Sequence, residues 1–390
     1  ILGNQLLTAS SWSGNTKYYP YIPFMASGTA GNWLFVDGEK SLYINPAGLV
    51  SSDLTWEKAS TFNIGLDFTM LNQRLDFSFD WYQRTTSDML VKVEYPEVLG
   101  TTAPPANKAE LRTRGWEVSV KWNDRIGNDF SYDLGFILSD SQAEITKYEN
   151  PSGTLSDYYV GQKIGEIWGY ETEGFYQSDT DVQNHADQSK LGANWAPGDI
   201  MYKDLDGNKK INNGSNTLDD HGDLKVIGNT TPRYQYGITA NMSYKNVYLN
   251  VFFQGIGKRD FWPSSQPFWP VATQYYNTQK WFVTDSWSED NRDAYFARPI
   301  ARETKNQQKQ TKYLQDASYC RLKNLTVGYD FPKSWLSFLH VAKAGVYFSA
   351  ENLFEFTNVK GAYDPEAAGK NGTMVYPFQR TYSFGLNVTF

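Results

Sequence analysis

Cysteine is nearly missing from this chain: Cys320 is the only one among 390 residues. No internal disulfide can form and no thiolate metal centre can be assembled, so Cys320 reads as a small strand side chain. Histidine is almost as scarce, and His185, His221 and His340 stand far apart at no ligand spacing. Gly-x-Ser-x-Gly, Walker and phosphate-cradling glycine patterns are lacking too, and scattered acidic pairs read as solvated surface. The chain is therefore not expected to be an enzyme. No run of about 18 apolar residues occurs, which excludes a transmembrane helix but leaves membrane strands open, because these need only alternate. Positive charge is in deficit, with 36 Lys and Arg against 43 Asp and Glu, a net charge of -7 and a pI near 5.2. That balance argues against a nucleic-acid partner. Neither an initiator methionine nor a secretory signal opens the chain at Ile1, from which processing or truncation of the start is expected.

What the chain has in plenty is aromatic residues, 16% of the total, set in alternating runs. Phe62, Ile64, Leu66, Phe68 and Met70 alternate with Thr61, Asn63, Gly65, Asp67 and Thr69. After Asn72 and Gln73, Leu75, Phe77, Phe79 and Trp81 alternate with Asp76, Ser78, Asp80 and Tyr82. Period two means strand, and two such runs across a short polar link predict an antiparallel hairpin. The second run is long enough to cross a bilayer at a tilt, which takes roughly 9–11 residues. One face is apolar and the other polar, which suits either a β-sandwich, whose apolar face meets a second sheet, or an outer-membrane barrel, whose apolar face meets lipid.

Residues 1–60 show no sustained period and read mostly as loop. Further alternation runs through 116–122, 130–138, 234–244, 247–253, 319–331, 344–352 and 381–390, giving an expected total of about nine antiparallel strands. Short links, around 72–73, 123–128, 245–246 and 332–342, alternate with long ones, at about 87–113, 140–232, 257–318 and 353–380. In bacterial outer-membrane barrels short turns are periplasmic and long loops extracellular, and single-chain barrels have an even strand number. An odd count predicts the C-terminal part of a larger barrel that does not close by itself. The final run, Tyr382, Phe384, Leu386, Val388 and Phe390, resembles the ending by which barrel-assembly machinery recognises its clients. Trp81, Tyr82, Trp116, Trp122, Tyr244 and Tyr329 suit interfacial girdles, although any one of them is also an ordinary strand residue.

Several segments resemble one family. LTWEKASTFNIGLDF at 54–68, DFSFDWYQRTTSDML at 76–90, GQKIGEIWGYETEGFY at 161–176, GNTTPRYQY at 228–236, YCRLKNLTVGYDFP at 319–332 and SAENLFEFTNVKGAYDPE at 349–366 look like the corresponding parts of SusC/RagA-type TonB-dependent transporters of the Bacteroidetes outer membrane. They occur in the family's order over most of the chain. The resemblance implies an outer-membrane barrel of about 22 strands with a plugged lumen. It also implies import of oligosaccharides or peptides with a SusD-like lipoprotein as lid and TonB as motor. The plug, the TonB-contacting segment and the earlier strands would lie outside this sequence. The rivals are a secreted all-β glycan-binding protein and a passive porin-like channel.

Two constellations stand out as sites. Asp204, Asp206, Asn208, Lys210 and Asn212 fall at positions 1, 3, 5, 7 and 9 of an EF-hand-like loop, where oxygens converge on a hard cation and position 7 offers its carbonyl. Position 6 is Lys209 and position 12 is Ser215, so Asp219 or Asp220 is expected to supply the last carboxylate across a bulge. The same resemblance carries a similar segment here, and structural Ca2+ is the expected ion; the plain alternative is a local Asx turn. The other is FWPSSQPFW, where Phe261, Trp262, Phe268 and Trp269 offer flat rings for a sugar face or a partner protein. Alternatively, these rings bury one another and hold a long loop together.

Overall fold

In the computed structural model, residues 22, 23, 25, 27–29, 42–44, 47–51, 54–91, 104–265, 268–272, 278–337, 340–361, 363–368 and 378–390 are described. Nine strands dominate: β1 (Lys58–Met70), β2 (Leu75–Val91), β3 (Ala106–Ile126), β4 (Phe130–Lys147), β5 (Arg233–Tyr244), β6 (Val247–Lys258), β7 (Tyr319–Asp330), β8 (Lys343–Thr357) and β9 (Thr381–Thr389). They form one antiparallel sheet in which every strand pairs with its neighbours in sequence. β1 and β9 are the free edges of this sheet, so the nine strands form an open wall.

The register turns alternation along each strand into continuity across all of them. Met70, Leu75, Trp122, Leu134, Ala240, Val251, Leu325, Ala350 and Tyr382 are successive cross-strand partners on one face. One pleat further along, Asn123, Asp133, Asn241, Asn250, Thr326, Ser349 and Ser383 are partners on the other. A slip of one residue in any pair would break both rows, so short turns such as Lys245 and Asn246 between β5 and β6 fix which face is apolar. On the apolar face Phe68 stacks on Phe77 at 4.8 Å and Phe62 meets Trp81 edge-on at 6.3 Å. No second sheet covers this face among the described residues. Phe62, Ile64 and Leu66 remain 60%, 58% and 55% exposed, which a sandwich would not permit.

Two expectations from sequence need correction. Tyr82 does not sit in an interfacial girdle. It pairs with Asn63 and Gly115 on the polar face, where its ring covers Gly115 so closely that a Cβ there would lie 2.5 Å from ring atoms. Trp81 and Trp116, by contrast, are direct partners on the apolar face. Secondly, the strands reach further into the expected loops than alternation indicated. β3 begins at Ala106, β4 continues to Lys147 and β8 to Thr357, while residues 92–103 lie outside the described set. Beyond the apolar band a strand needs only backbone pairing. Polar side chains there occupy the apolar-side positions as well, such as the cross-strand partners Arg112 and Glu144 joined at 3.2 Å, and erase the period-two signal without ending the strand.

Short links all fall at one end of the wall and long ones at the other. The described parts of the β4–β5 and β6–β7 connections are folded, not bare. Glu166–Tyr170 pairs with Leu224–Asn229, Thr172–Phe175 with Ile200–Tyr202, and Asp260–Phe261 with Gln315–Asp316. Helix α1 (Asp179–Asn184) starts in a capping box, Ser178 accepting from the Asp181 amide and Asp181 from the Ser178 amide. The main hydrophobic core lies in these connections, not in the strands.

Candidate functional site

The loop core is built from two stretches far apart in sequence. Tyr170, Phe175, Ile200, Tyr202 and Ile211 from the β4–β5 connection pack with Phe268, Trp269, Phe282, Trp287, Phe296 and Tyr313 from the β6–β7 connection. Rings meet at tilted and edge-to-face angles, as with Phe268 and Trp269 at 4.8 Å and Trp269 and Tyr313 at 5.0 Å. Phe261, Phe268 and Trp269 are 5%, 2% and 8% exposed. Stacking on a ligand needs an open ring face, so these three act as core and only Trp262, half-buried against Trp269, reaches a surface. Of the two sequence readings of FWPSSQPFW, mutual burial describes Phe268 and Trp269, while Phe261 is buried in a separate small cluster with Ala317 and Ala368.

Charge joins the same two connections. Asp199 is fully buried. Its carboxylate accepts two hydrogen bonds from Arg298 at 2.8 and 2.9 Å, one from Asn306 at 2.9 Å and one from the Ala196 amide at 3.0 Å, and it lies 2.9 Å from the Lys305 ammonium. Lys305, itself buried, also donates to the carbonyls of Ala193 and Asn194 and stands 4.8 Å over the Trp195 ring. Burial pushes the pKa of Asp199 up, but hydrogen bonds from Arg298, Asn306 and Lys305 outweigh it and hold the group below the ordinary carboxylate range. Neither partner of this lock is recognisable in sequence, because about a hundred residues separate them.

The acidic turn folds partly as expected. Asp204, Asp206 and Asp223 each bring one carboxylate oxygen within 4.8 Å of the others. Neither proposed closing acid is there: Asp220 accepts from the amide and hydroxyl of Ser215, and Asp219 is exposed. Asp223 takes that place, fully buried and oriented by the amides of Leu205 at 2.7 Å and Asn212 at 2.9 Å. The loop 213–222 is a larger excursion than a one-ligand bulge, and this is why linear spacing missed it. Asn208 and Asn212 turn their side-chain oxygens to the amides of Lys210 and Gly214 at 2.7 Å each, while the Lys210 carbonyl accepts from Asn212. Burial raises Asp204, yet the amides of Lys209 and Gly207 hold it below its usual value.

On the polar face of the wall, Ser78, Asp80, Glu117, Ser139, Gln235 and Gln254 line a depression of about 480 Å³. Polar wall, apolar outer band and folded loops at one end are the parts of an outer-membrane pore. A family model described as TonB dependent receptor-like, beta-barrel, matches residues 13–353. The chain belongs to this family of TonB-dependent receptors. Its apolar face is therefore the lipid-facing surface of an outer-membrane barrel. TonB-dependent receptor P3 of Formosa agariphila is 30% identical over 366 residues, 87% of this chain and 35% of that protein. TonB-dependent receptor SusC of Bacteroides thetaiotaomicron is 27% identical, over 87% of this chain and 32% of its own length. The RagAB peptide transporter structure superposes with a TM-score of 0.71 at 23% identity, covering 95% of this chain and 39% of that one. This receptor chain thus spans about a third of the length of the relatives it matches. The expected family and wall architecture stand.

Proposed function

We propose that this chain supplies barrel wall and extracellular loops to a SusC/RagA-type importer. The whole protein would carry oligosaccharides or peptides across the outer membrane, with a SusD-like surface lipoprotein as lid and TonB as the source of energy. Further strands and a plug complete the barrel in this reading. The observation that carries it is the unbroken apolar row across nine strands combined with a packed loop layer at only one end of the wall. A secreted glycan-binding sandwich would cover that row with a second sheet. A passive channel differs in needing no motor, so the test is uptake of labelled oligosaccharides and peptides by cells carrying the full-length receptor, with and without TonB. Loss of uptake without TonB is expected; uptake that persists refutes active import.

The same reading gives the acidic turn a structural Ca2+. Three carboxylates converge there, and Asp223 is buried with no ion-pair partner among the described residues, an arrangement that a hard divalent cation neutralises. Asp204, Asp206 and Asp223 would hold the ion, which would order the turn. Calcium added to the full-length receptor should slow proteolysis at 204–223; cleavage insensitive to calcium refutes the site.

A further inference from the structure

Between the strand Glu166–Tyr170, the 190–191 turn and the helical turn Lys305–Gln307 lies an open cleft of about 530 Å³ in the extracellular layer. Two tryptophans, Trp168 and Trp262, stand in its lining, with Lys190, Lys309, Gln307 and Asn213. No carboxylate lines it, in a chain whose acids outnumber its bases 43 to 36. The two lysines make no ion pair, hydrogen bond or ring contact through their ammonium groups among the described residues, whereas Lys203, Lys225, Lys305 and Lys323 all pair with acids. Trp168 is fixed by donating its indole N–H to the Tyr159 hydroxyl at 3.2 Å and by packing on His221 at 5.5 Å. Trp262 is braced by Trp269 at 6.0 Å.

We infer that this cleft binds an anionic oligosaccharide, one bearing uronate or sulfate groups. Braced indoles offer flat apolar surface to the C–H face of a pyranose at small cost in conformational freedom. Gln307 and Asn213 can both donate to and accept from hydroxyls. Two unpaired ammonium groups with no competing acid supply the counter-charge for a carboxylate or sulfate. The inference rests on the import reading above and narrows its cargo. A peptide is the weaker fit, since one that binds by strand addition needs a free edge, and Glu166–Tyr170 pairs with Leu224–Asn229 on one edge while on the other Tyr170 bonds to the backbone of Lys309 and Thr311.

The test uses the full-length receptor in detergent and four probes: a tetragalacturonate, a sulfated galactose tetrasaccharide, neutral tetragalactose and a glutamate-rich peptide. At least one anionic sugar should bind tenfold or more tightly than tetragalactose and weaken as salt rises from about 0.05 to 0.5 M. The double variant Lys190→Gln, Lys309→Gln should lose that preference while keeping neutral-sugar affinity, and Trp262→Ala should weaken both. Equal affinity for charged and neutral sugars, tightest binding of the peptide, or an anionic preference that survives the double variant overturns the inference. These outcomes are separable from failure of the import reading, which shows as uptake independent of TonB whatever the cleft binds.

Discussion

Replacing Asp199 with alanine tests whether the two long connections form one unit. The change deletes the shared acceptor of Arg298, Lys305, Asn306 and the Ala196 amide. Breaking a buried ion pair by removing one partner costs about 3–5 kcal/mol, because the other charge stays buried. Here Arg298, 30% exposed in its side chain, can recover water, whereas Lys305 at 2% cannot. Lys305 keeps the carbonyls of Ala193 and Asn194, so the lower end of the range, about 3 kcal/mol, is expected. At about 1.4 kcal/mol per tenfold, local opening should become roughly a hundredfold more frequent. Hydrogen–deuterium exchange of the full-length receptor reads this directly. Amides at Ile200 and Tyr202, which donate to Asn306 and Gln188, should lose protection, while those of β3 should not. Unchanged protection at Ile200 would refute the lock, as would an equal loss in β3. The pH dependence follows from the sign: a carboxylate held below its ordinary value stabilises above that value and loses its contribution only as pH falls through the lowered one. Protection at Ile200 should therefore be flat from pH 7 to 5 as far as Asp199 is concerned, and fall only below the usual carboxylate range.

Face assignment on the wall can be checked with neighbouring residues. Phe79 lies on the lipid side, paired with Leu66 and Val118, and Ser78 on the polar side, paired with Asp67 and Ser119. Phe79→Arg should cost about 2–4 kcal/mol and reduce the heat-modifiable folded band on a gel, whereas Ser78→Arg should leave it near wild type; equal effects contradict the assignment. Phe268→Ala should remove about 3–5 kcal/mol from the loop core and expose the β6–β7 connection to protease without changing barrel migration. Trp262→Ala, at the rim of the same core, should have a clearly smaller effect on proteolysis.

How far each feature can be read in advance depends on the range of the interaction that makes it. The Phe62–Met70 and Leu75–Trp81 runs declare their faces because a strand's two sides are set by residue parity alone. The lock of Asp199 on Arg298 and Lys305, and the closing of the acidic turn by Asp223 instead of Asp219 or Asp220, depend on chain excursions whose geometry no local period encodes. FWPSSQPFW shows the same limit from another side. Its composition suits a binding surface and a core equally well, and what decides is the presence of Tyr313, Phe296 and Tyr170 in the core that takes up Phe268 and Trp269.

By itself, then, the amino-acid order determined an antiparallel all-β wall with one lipid face, one polar face and long connections at one end, because alternation and short turns act over a few residues. Only the tertiary structure decided that the β4–β5 and β6–β7 connections fold onto a common core, which rings they bury, and where carboxylates and ammonium groups meet. Burial and charge pairing depend on which distant segments share a volume, and that is settled when the chain packs.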